Sequence, residues 1–174
     1  PTTLLAAVDA SVGGKTGINF NGLKNEIGAF KNADQVIVSS IFFNTLSATE
    51  MRSGYGEMLK HALIKGPDML NDLMRQDVLE VGSERMLDLL KENVGVKQDI
   101  VFQDPTEKGL RKALNLGHTT GHAFESLALK RNSPIPHGYA VAYGLVVELI
   151  LSVMQKGFPA ETMRRIAGYI YENY

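Results

Sequence analysis

The chain has 174 residues, with 18 Lys and Arg against 19 Asp and Glu, so its formal charge of −1 gives no electrostatic reason to expect a nucleic-acid partner. Its 44% hydrophobic and 21% charged residues fit a folded globular chain that buries a core without staples. The absence of Cys excludes disulfides, thiolate nucleophiles and Cys-bound zinc, so any metal must be held by His nitrogen and carboxylate oxygen.

Residues 2–9 form a short apolar run closed by Asp9, and residues 35–39 contain Val36-Ile37-Val38; both segments are predicted strands. Between them Gly13-Gly14, Gly17, Asn19, Asn21-Gly22 and Gly28 make a segment too rich in Gly and Asn for a regular element, and a loop is predicted. From about residue 47 the pattern is helical. Ser47-Ala48-Thr49-Glu50 is a capping box, and Met51, Met58, Leu59, Ala62 and Leu63 share a face until Gly66-Pro67 stops the helix. Ser83 is placed to cap a second long helix, whose stripe is Met86, Leu90, Val94 and Val101. A third helix begins between Glu107 and Asn115 and reaches about Leu129. After Pro134-Ile135-Pro136 a fourth runs from His137 to about Gln155. Its residues 140–154 are apolar nearly all round, which predicts a buried central helix. At that length, and interrupted by Glu148, the segment falls short of the roughly 20 apolar residues of a membrane span, so no membrane partner is expected. Met163, Ile166, Ile170 and Tyr174 continue at helical spacing to the last residue. With no basic leader at the start and no stop signal at the end, the chain reads as an internal piece of a longer protein. The expected fold class is mainly α, with an all-helical domain over 47–174 preceded by a short β and loop segment over 1–46.

At about 100° per residue, Glu107, Arg111, Asn115, His118, His122 and Glu125 share one arc if the third helix covers all six. A solvated face is the plain alternative, but such faces are usually Lys and Glu, whereas Arg, Asn and paired His bind anions or metals. Gly117 and Gly121 beside this stripe permit a neighbouring backbone to come close. His118 and His122 stand one turn apart, and His137 follows Pro136 at a helix start, a concentration unlike that of a lone core histidine. Two His on one metal call for a carboxylate, for which Glu57 is the candidate; an i, i+3 ion pair with Lys60 is its other reading, and spacing does not choose. Lys97 on an apolar stripe either snorkels to water or meets an anion inside. Asp9, Lys15, Lys24 and Asn25 sit among glycines whose amides can face a ligand. Gly14-Lys15-Thr16 has the ending of a Walker A motif, but Asp9 stands where that motif needs Gly. The residues together describe a pocket for a divalent metal and a phosphorylated small molecule, with Lys15, Lys24, Lys97, Arg111 and His122 as its cationic or imidazole groups. They do not name a reaction.

Five strings in order do point to one. Pro1-Thr2-Thr3-Leu4-Leu5-Ala6, Asp9-Ala10-Ser11-Val12-Gly13-Gly14-Lys15-Thr16-Gly17, Gly54-Tyr55-Gly56-Glu57-Met58-Leu59-Lys60, Asn115-Leu116-Gly117-His118-Thr119-Thr120-Gly121-His122-Ala123 and His137-Gly138-Tyr139-Ala140-Val141-Ala142 resemble the 3-dehydroquinate synthase family. The resemblance implies a lyase of the shikimate pathway that converts 3-deoxy-D-arabino-heptulosonate 7-phosphate to 3-dehydroquinate and phosphate, using NAD and a divalent metal, zinc ahead of cobalt. It also implies a cytoplasmic homodimer in which an N-terminal nucleotide-binding α/β domain meets a C-terminal helical domain, the site lying between them. This chain is similar to the second part, with residues 1–46 as remnant of the first and of the interdomain loop. Carried over by motif, the metal ligands are Glu57, His118 and His137, and His122 instead faces substrate with Arg111, Asn115, Lys97, Lys60 and Asn25. Lys15 and Lys24 match positions near NAD and substrate, Thr2, Thr3, Phe42 and Thr45 match NAD contacts, and Asp9 and Glu107 match acidic positions of the pocket, Asp9 on the cofactor side. Asn19-Phe20-Asn21-Gly22-Leu23-Lys24-Asn25 departs from the usual Asn-His-Pro-x-Gly-Lys-Asn, and Ala10 replaces a common Ser. Other sugar phosphate cyclases, a metal-dependent polyol dehydrogenase and an inactive metal-binding domain are the competing readings.

Overall fold

A computed structural model describes the backbone of every residue except Gly22, Val81 and Ser83, and the side chains of all but these and Asn19, Leu23, Lys24 and Asn25. The chain is mainly helical. A short π-helix, Ala6–Ala10, is followed by a hairpin of β1 (Ile18–Phe20) and β2 (Leu23–Ile27) and a 3-10 turn, Ser40–Thr45. Among the described residues six α-helices follow: α1 (Ala48–Lys65), α2 (Pro67–Arg75), α3 (Glu84–Gln103), α4 (His118–Lys130), α5 (His137–Lys156) and α6 (Ala160–Asn173). A second 3-10 turn, Leu110–Asn115, lies between α3 and α4.

Several expectations hold. Ser47 and Glu50 make the reciprocal bonds of a capping box at the start of α1. Met51, Met58, Leu59 and Ala62 are buried, and Ile166 and Ile170 bury the inner stripe of α6. Others are corrected. The predicted strand at residues 2–9 is helical from Leu4 to Ala10: Leu4, Ala7 and Val8 are buried at i, i+3 and i+4, a helical period that so short an apolar run did not disclose. The predicted strand at 35–39 has no regular structure, and Val36 and Ile37 are exposed. The predicted Gly-rich loop contains the hairpin. Phe20 pairs with Leu23, and Asn21 after Phe20 lies in the left-handed region at φ 49°, as the hairpin turns favoured by Asn require. Gly66-Pro67 does end α1, but Pro67 also opens α2, a helix absent from the sequence reading, at the one place where a missing N–H costs nothing. The cap expected from Ser83 lies outside the described residues. The third predicted helix is broken: Gly117 at φ 79° starts α4 only at His118, and Glu107, Arg111 and Asn115 lie in the loop and 3-10 turn before it. The six polar residues therefore share no helical arc.

One core spans the chain, from Leu4, Val8 and Phe43 through α1 to Ile170. The helix α1 is packed by α2, α3 and α5, and α5 also packs on α4 and α6. Small residues set how closely. A Cβ at Gly138 would stand 1.7 Å from the Ser53 carbonyl oxygen, and one at Gly56 would stand 2.2 Å from the Gly138 carbonyl oxygen, so the first turn of α5 lies directly on α1. A Cβ at Gly144 would meet the Gly117 carbonyl oxygen at 2.0 Å, which brings the start of α4 equally close to α5. At 20 residues α5 is longer than its apolar segment indicated, and by length and composition it reaches the span of a membrane. Its first half is the buried central helix expected, whereas Val147, Ile150, Leu151 and Met154 form an exposed stripe on its second half.

Candidate functional site

Three residues far apart in sequence meet where α1, α4 and α5 come together. Glu57 is fully buried in the middle of α1, and His118 and His137 are the first residues of α4 and α5. Glu57 Oε1 lies 3.4 Å from His118 Nε2 and 3.4 Å from His137 Nε2, and this buried oxygen has no hydrogen-bond partner among the described residues. Donors bound tetrahedrally at about 2.1 Å are separated by about 3.4 Å, so the three atoms are spaced as ligands of one small cation. Each group is also prepared for that role. His118 Nδ1 donates to the Leu116 carbonyl (3.2 Å) and His137 Nδ1 to Glu125 Oε1 (3.1 Å), which leaves a lone pair on both Nε2 atoms. Burial alone would raise the pKa of Glu57, but Lys60, then His137 and His118, outweigh it and hold the carboxyl well below the usual range. Burial lowers the pKa of His118 against the pull of Glu57, while for His137 the neighbouring carboxylates of Glu57 and Glu125 overcome burial and raise it. The two sequence readings of Glu57 are both realised, since Oε2 pairs with Lys60 while Oε1 faces the imidazoles. The pairing of His118 with His122 by spacing alone is not the one gathered around Glu57; His137 takes that place. His122 is half exposed, with Nε2 3.8 Å from Glu125.

The triad opens on a cleft of about 770 Å³ lined by Asp9, Lys15, Lys60, Lys97, Arg111, Asn115, His118, His122 and His137. Lys97 meets an anion inside: its Nζ lies 2.5 Å from both Asp9 Oδ1 and the Asp9 carbonyl oxygen. Burial pulls the pKa of Lys97 down and Asp9 only partly restores it. Lys15 pairs with Glu107, whose other oxygen accepts from Asn115 Nδ2 at 2.7 Å. Arg111, 2% exposed, donates to the carbonyls of Pro105 (2.7 Å) and Gly13 (2.9 Å), so its charge, unlike those of the three lysines, faces no carboxylate in an ion pair among the described residues. Thr2, Thr3, Phe42 and Thr45 do not line the cleft. Thr3 Oγ1 accepts the Ala6 N–H, and Thr45 Oγ1 donates to the Phe42 carbonyl. The side chains of Lys24 and Asn25, expected at the cofactor and substrate, lie outside the described residues.

Four supports were not assigned a site role from sequence. Glu125 orients His137. Glu148 on α5 accepts from the Gly117 and Thr120 N–H groups at 2.7 and 3.3 Å, capping α4 beside His118 from a neighbouring helix. Asp104 accepts from the N–H groups of Lys108 (3.0 Å), Gly109 (2.7 Å) and Arg111 (3.0 Å), shaping the loop that carries Glu107 and Arg111. Gly138 permits the contact that sets His137 over Glu57. The usable signals were the Asp-Pro-Thr-Glu-Lys-Gly turn composition for Asp104, a lone carboxylate in an apolar helix for Glu148, and the small residues flanking Glu57 and His137.

The family model described as 3-dehydroquinate synthase C-terminal matches residues 54–173, and that described as 3-dehydroquinate synthase N-terminal matches residues 1–53. The chain is 49% identical over all its 174 residues to a 3-dehydroquinate synthase of Parabacteroides distasonis, covering 49% of that protein. It is 46% identical over 158 residues, 90% of the chain, to a 3-dehydroquinate synthase of Bacillus pumilus, covering 43% of it. The chain thus spans about half the length of the curated relatives it matches. Among solved structures, 2-epi-5-epi-valiolone synthase from Streptomyces hygroscopicus, with NAD+ and Zn2+ bound, superposes on 100% of the chain and 49% of its own at a TM-score of 0.89 and 26% identity. A 2-deoxy-scyllo-inosose synthase complexed with carbaglucose-6-phosphate, NAD+ and Co2+ shares the fold over 98% of the chain and 47% of its own, with a TM-score of 0.84 and 22% identity. By these matches over its whole length, the chain belongs to the 3-dehydroquinate synthase family.

Proposed function

We propose that the chain is the metal- and substrate-binding part of an enzyme that converts 3-deoxy-D-arabino-heptulosonate 7-phosphate to 3-dehydroquinate and phosphate, with Glu57, His118 and His137 holding a divalent ion, zinc or cobalt. The observation that carries this reading is Glu57 Oε1, unpartnered among the described residues and buried 3.4 Å from two imidazole nitrogens that both have lone pairs to give. Residues 47–174 form the domain that binds metal and substrate, residues 1–46 belong to the NAD-binding domain and the loop between them, and the whole protein works as a cytoplasmic homodimer. Compartment and assembly are taken from the family resemblance.

When bound, the ion supplies Lewis-acid polarisation of a substrate hydroxyl, and NAD supplies a hydride acceptor that is regenerated within the cycle. The protein's own residues do the rest. Lys60 keeps Glu57 ionised, and Leu116 and Glu125 hold His118 and His137 with their Nε2 lone pairs facing inward. Arg111 neutralises substrate phosphate, helped by Lys97 and His122 on the same cleft. The positive end of α4 already faces Glu148, so anion binding falls to these side chains. Asn115 and Glu107 form a hydrogen-bonding edge that, with Lys15, orients the sugar hydroxyls. Asp9 holds the Lys97 ammonium in place beneath them, and Lys15 and Asp9 border the NAD side of the cleft.

A second reading is favoured by the fold neighbours: another sugar phosphate cyclase, such as a valiolone or deoxy-inosose synthase. Incubating the protein with NAD, zinc and either the heptulosonate phosphate or sugar phosphates lacking the acid group separates them. Release of phosphate and 3-dehydroquinate from the former, with no net NADH, is the expected result. Turnover of only the non-acid sugars would favour the second reading, and accumulating NADH without phosphate release would favour a polyol dehydrogenase. Zinc binding without turnover or NAD affinity would mark an isolated metal-binding domain.

A further inference from the structure

One turn beyond Glu57 on α1, His61 is fully buried, and neither of its ring nitrogens has a hydrogen-bond partner among the described residues. Buried polar groups in folded proteins are nearly always paired, so an orphaned imidazole in a core requires a reason. Its Nε2 lies 4.0 Å from Glu57 Oε2, the oxygen that pairs with Lys60, while Oε1 faces His118 and His137. A carboxylate oxygen accepts two hydrogen bonds, and Lys60 supplies one of them at Oε2. Among the described residues His61 is the only other ion-pair partner of Oε2, and it is placed to supply the second. The donor atoms of Asp9, Glu57 and His61 lie within 4.8 Å of one another, which raises the alternative that His61 is itself a metal ligand. That alternative fails on charge, because the ammonium groups of Lys60 and Lys97 already sit on Glu57 Oε2 and Asp9 Oδ1.

We propose that His61 is a positioning residue of the metal centre: its ring N–H donates to Glu57 Oε2, directly or through one buried water, and fixes the carboxylate so that Oε1 stays aimed between His118 and His137. The polar ring is then kept in the core at the expense of stability, for the sake of the ligand in front of it.

This inference rests on the metal reading of Glu57, and zinc titration of the full chain against a competing chelator, run beside thermal unfolding without metal, tests the two separately. His61→Phe, which keeps the ring shape, is expected to weaken zinc binding by about 10–100-fold while unfolding at the same or a higher temperature than wild type. His61→Gln, which keeps an N–H donor, should recover most of that affinity. If His61→Phe does not fold, His61→Leu carries the same comparison. Equal zinc affinity in wild type and the apolar variant would overturn the role of His61 alone. A wild-type chain that binds no zinc would overturn the metal reading, and this inference with it.

Discussion

On the helical side of the cleft, Glu57, His118 and His137 are positioned chiefly by backbone pressed on backbone: Gly138 on Ser53, Gly56 on Gly138, and Gly144 on Gly117, where an added Cβ would have no room. On the loop side, Arg111 and Glu107 are positioned by hydrogen bonds, with Asp104 gathering three N–H groups and Arg111 bonding both Pro105 and, 98 residues away from itself, Gly13. The first arrangement has no slack, because close-packed interiors do not deform by fractions of an ångström without strain. The second is a set of bonds that can be lost one at a time. Damage to the glycine contacts of the helical side should therefore be all-or-none and fall on metal binding, whereas damage to the loop side should be graded and fall on the anion.

The sharpest break is Gly138→Val. Its Cβ has no room before the Ser53 carbonyl, so α5 must leave α1; we expect a fall of about 10 °C in the thermal midpoint and complete loss of zinc binding. Arg111→Ala should act on the other side only. Affinity for inorganic phosphate, read by calorimetry, is expected to drop about 10–100-fold while zinc content stays near wild type. An equal loss of both would erase the distinction between the two sides. Glu125→Gln sharpens the helical side: the His137 Nδ1–H keeps an acceptor but loses its charge, so zinc affinity should fall about 10-fold with little change in metal-free stability. The smallest effect is a pH dependence. The N–H bonds of Lys108 and then Gly109 hold the Asp104 carboxyl below its ordinary 3.8. Because its folded pKa is depressed, the stabilisation it gives is complete above that ordinary value and drains away as pH falls through the folded one. Glu107 titrates with the same sign, since Lys15 and Asn115 outweigh the effect of its burial. Thermal midpoints measured from neutral to acid pH should fall less steeply in Asp104→Asn than in wild type.

The two sides also differ in how far they could be read from residues alone. Ser47 with Glu50, the start of α5 after Pro136 and the stripe of α6 are local signals, and each element formed where its signal stood. Asn21-Gly22 was such a signal too, but the surrounding glycines masked it. The helical arc from Glu107 to Glu125 failed because angle arithmetic assumes an unbroken helix, whereas Gly117 and Glu107 both adopt positive φ. Its residues nonetheless reach one cleft, Arg111 and Asn115 through the loop and His118 and His122 through α4. What no spacing could supply was the meeting of Glu57 with His137, 80 residues apart, since it depends on a glycine contact between two helices. The motif resemblance carried that pairing into the sequence reading. His61, Glu125 and Glu148 act through atoms of their neighbours, and only coordinates place those atoms.

The most direct measurement is the zinc stoichiometry of the purified full chain and of its His118→Ala variant after dialysis against a weak chelator. One zinc per wild-type chain and none in the folded variant is the result this account requires. A variant that keeps its zinc at full stoichiometry would contradict it.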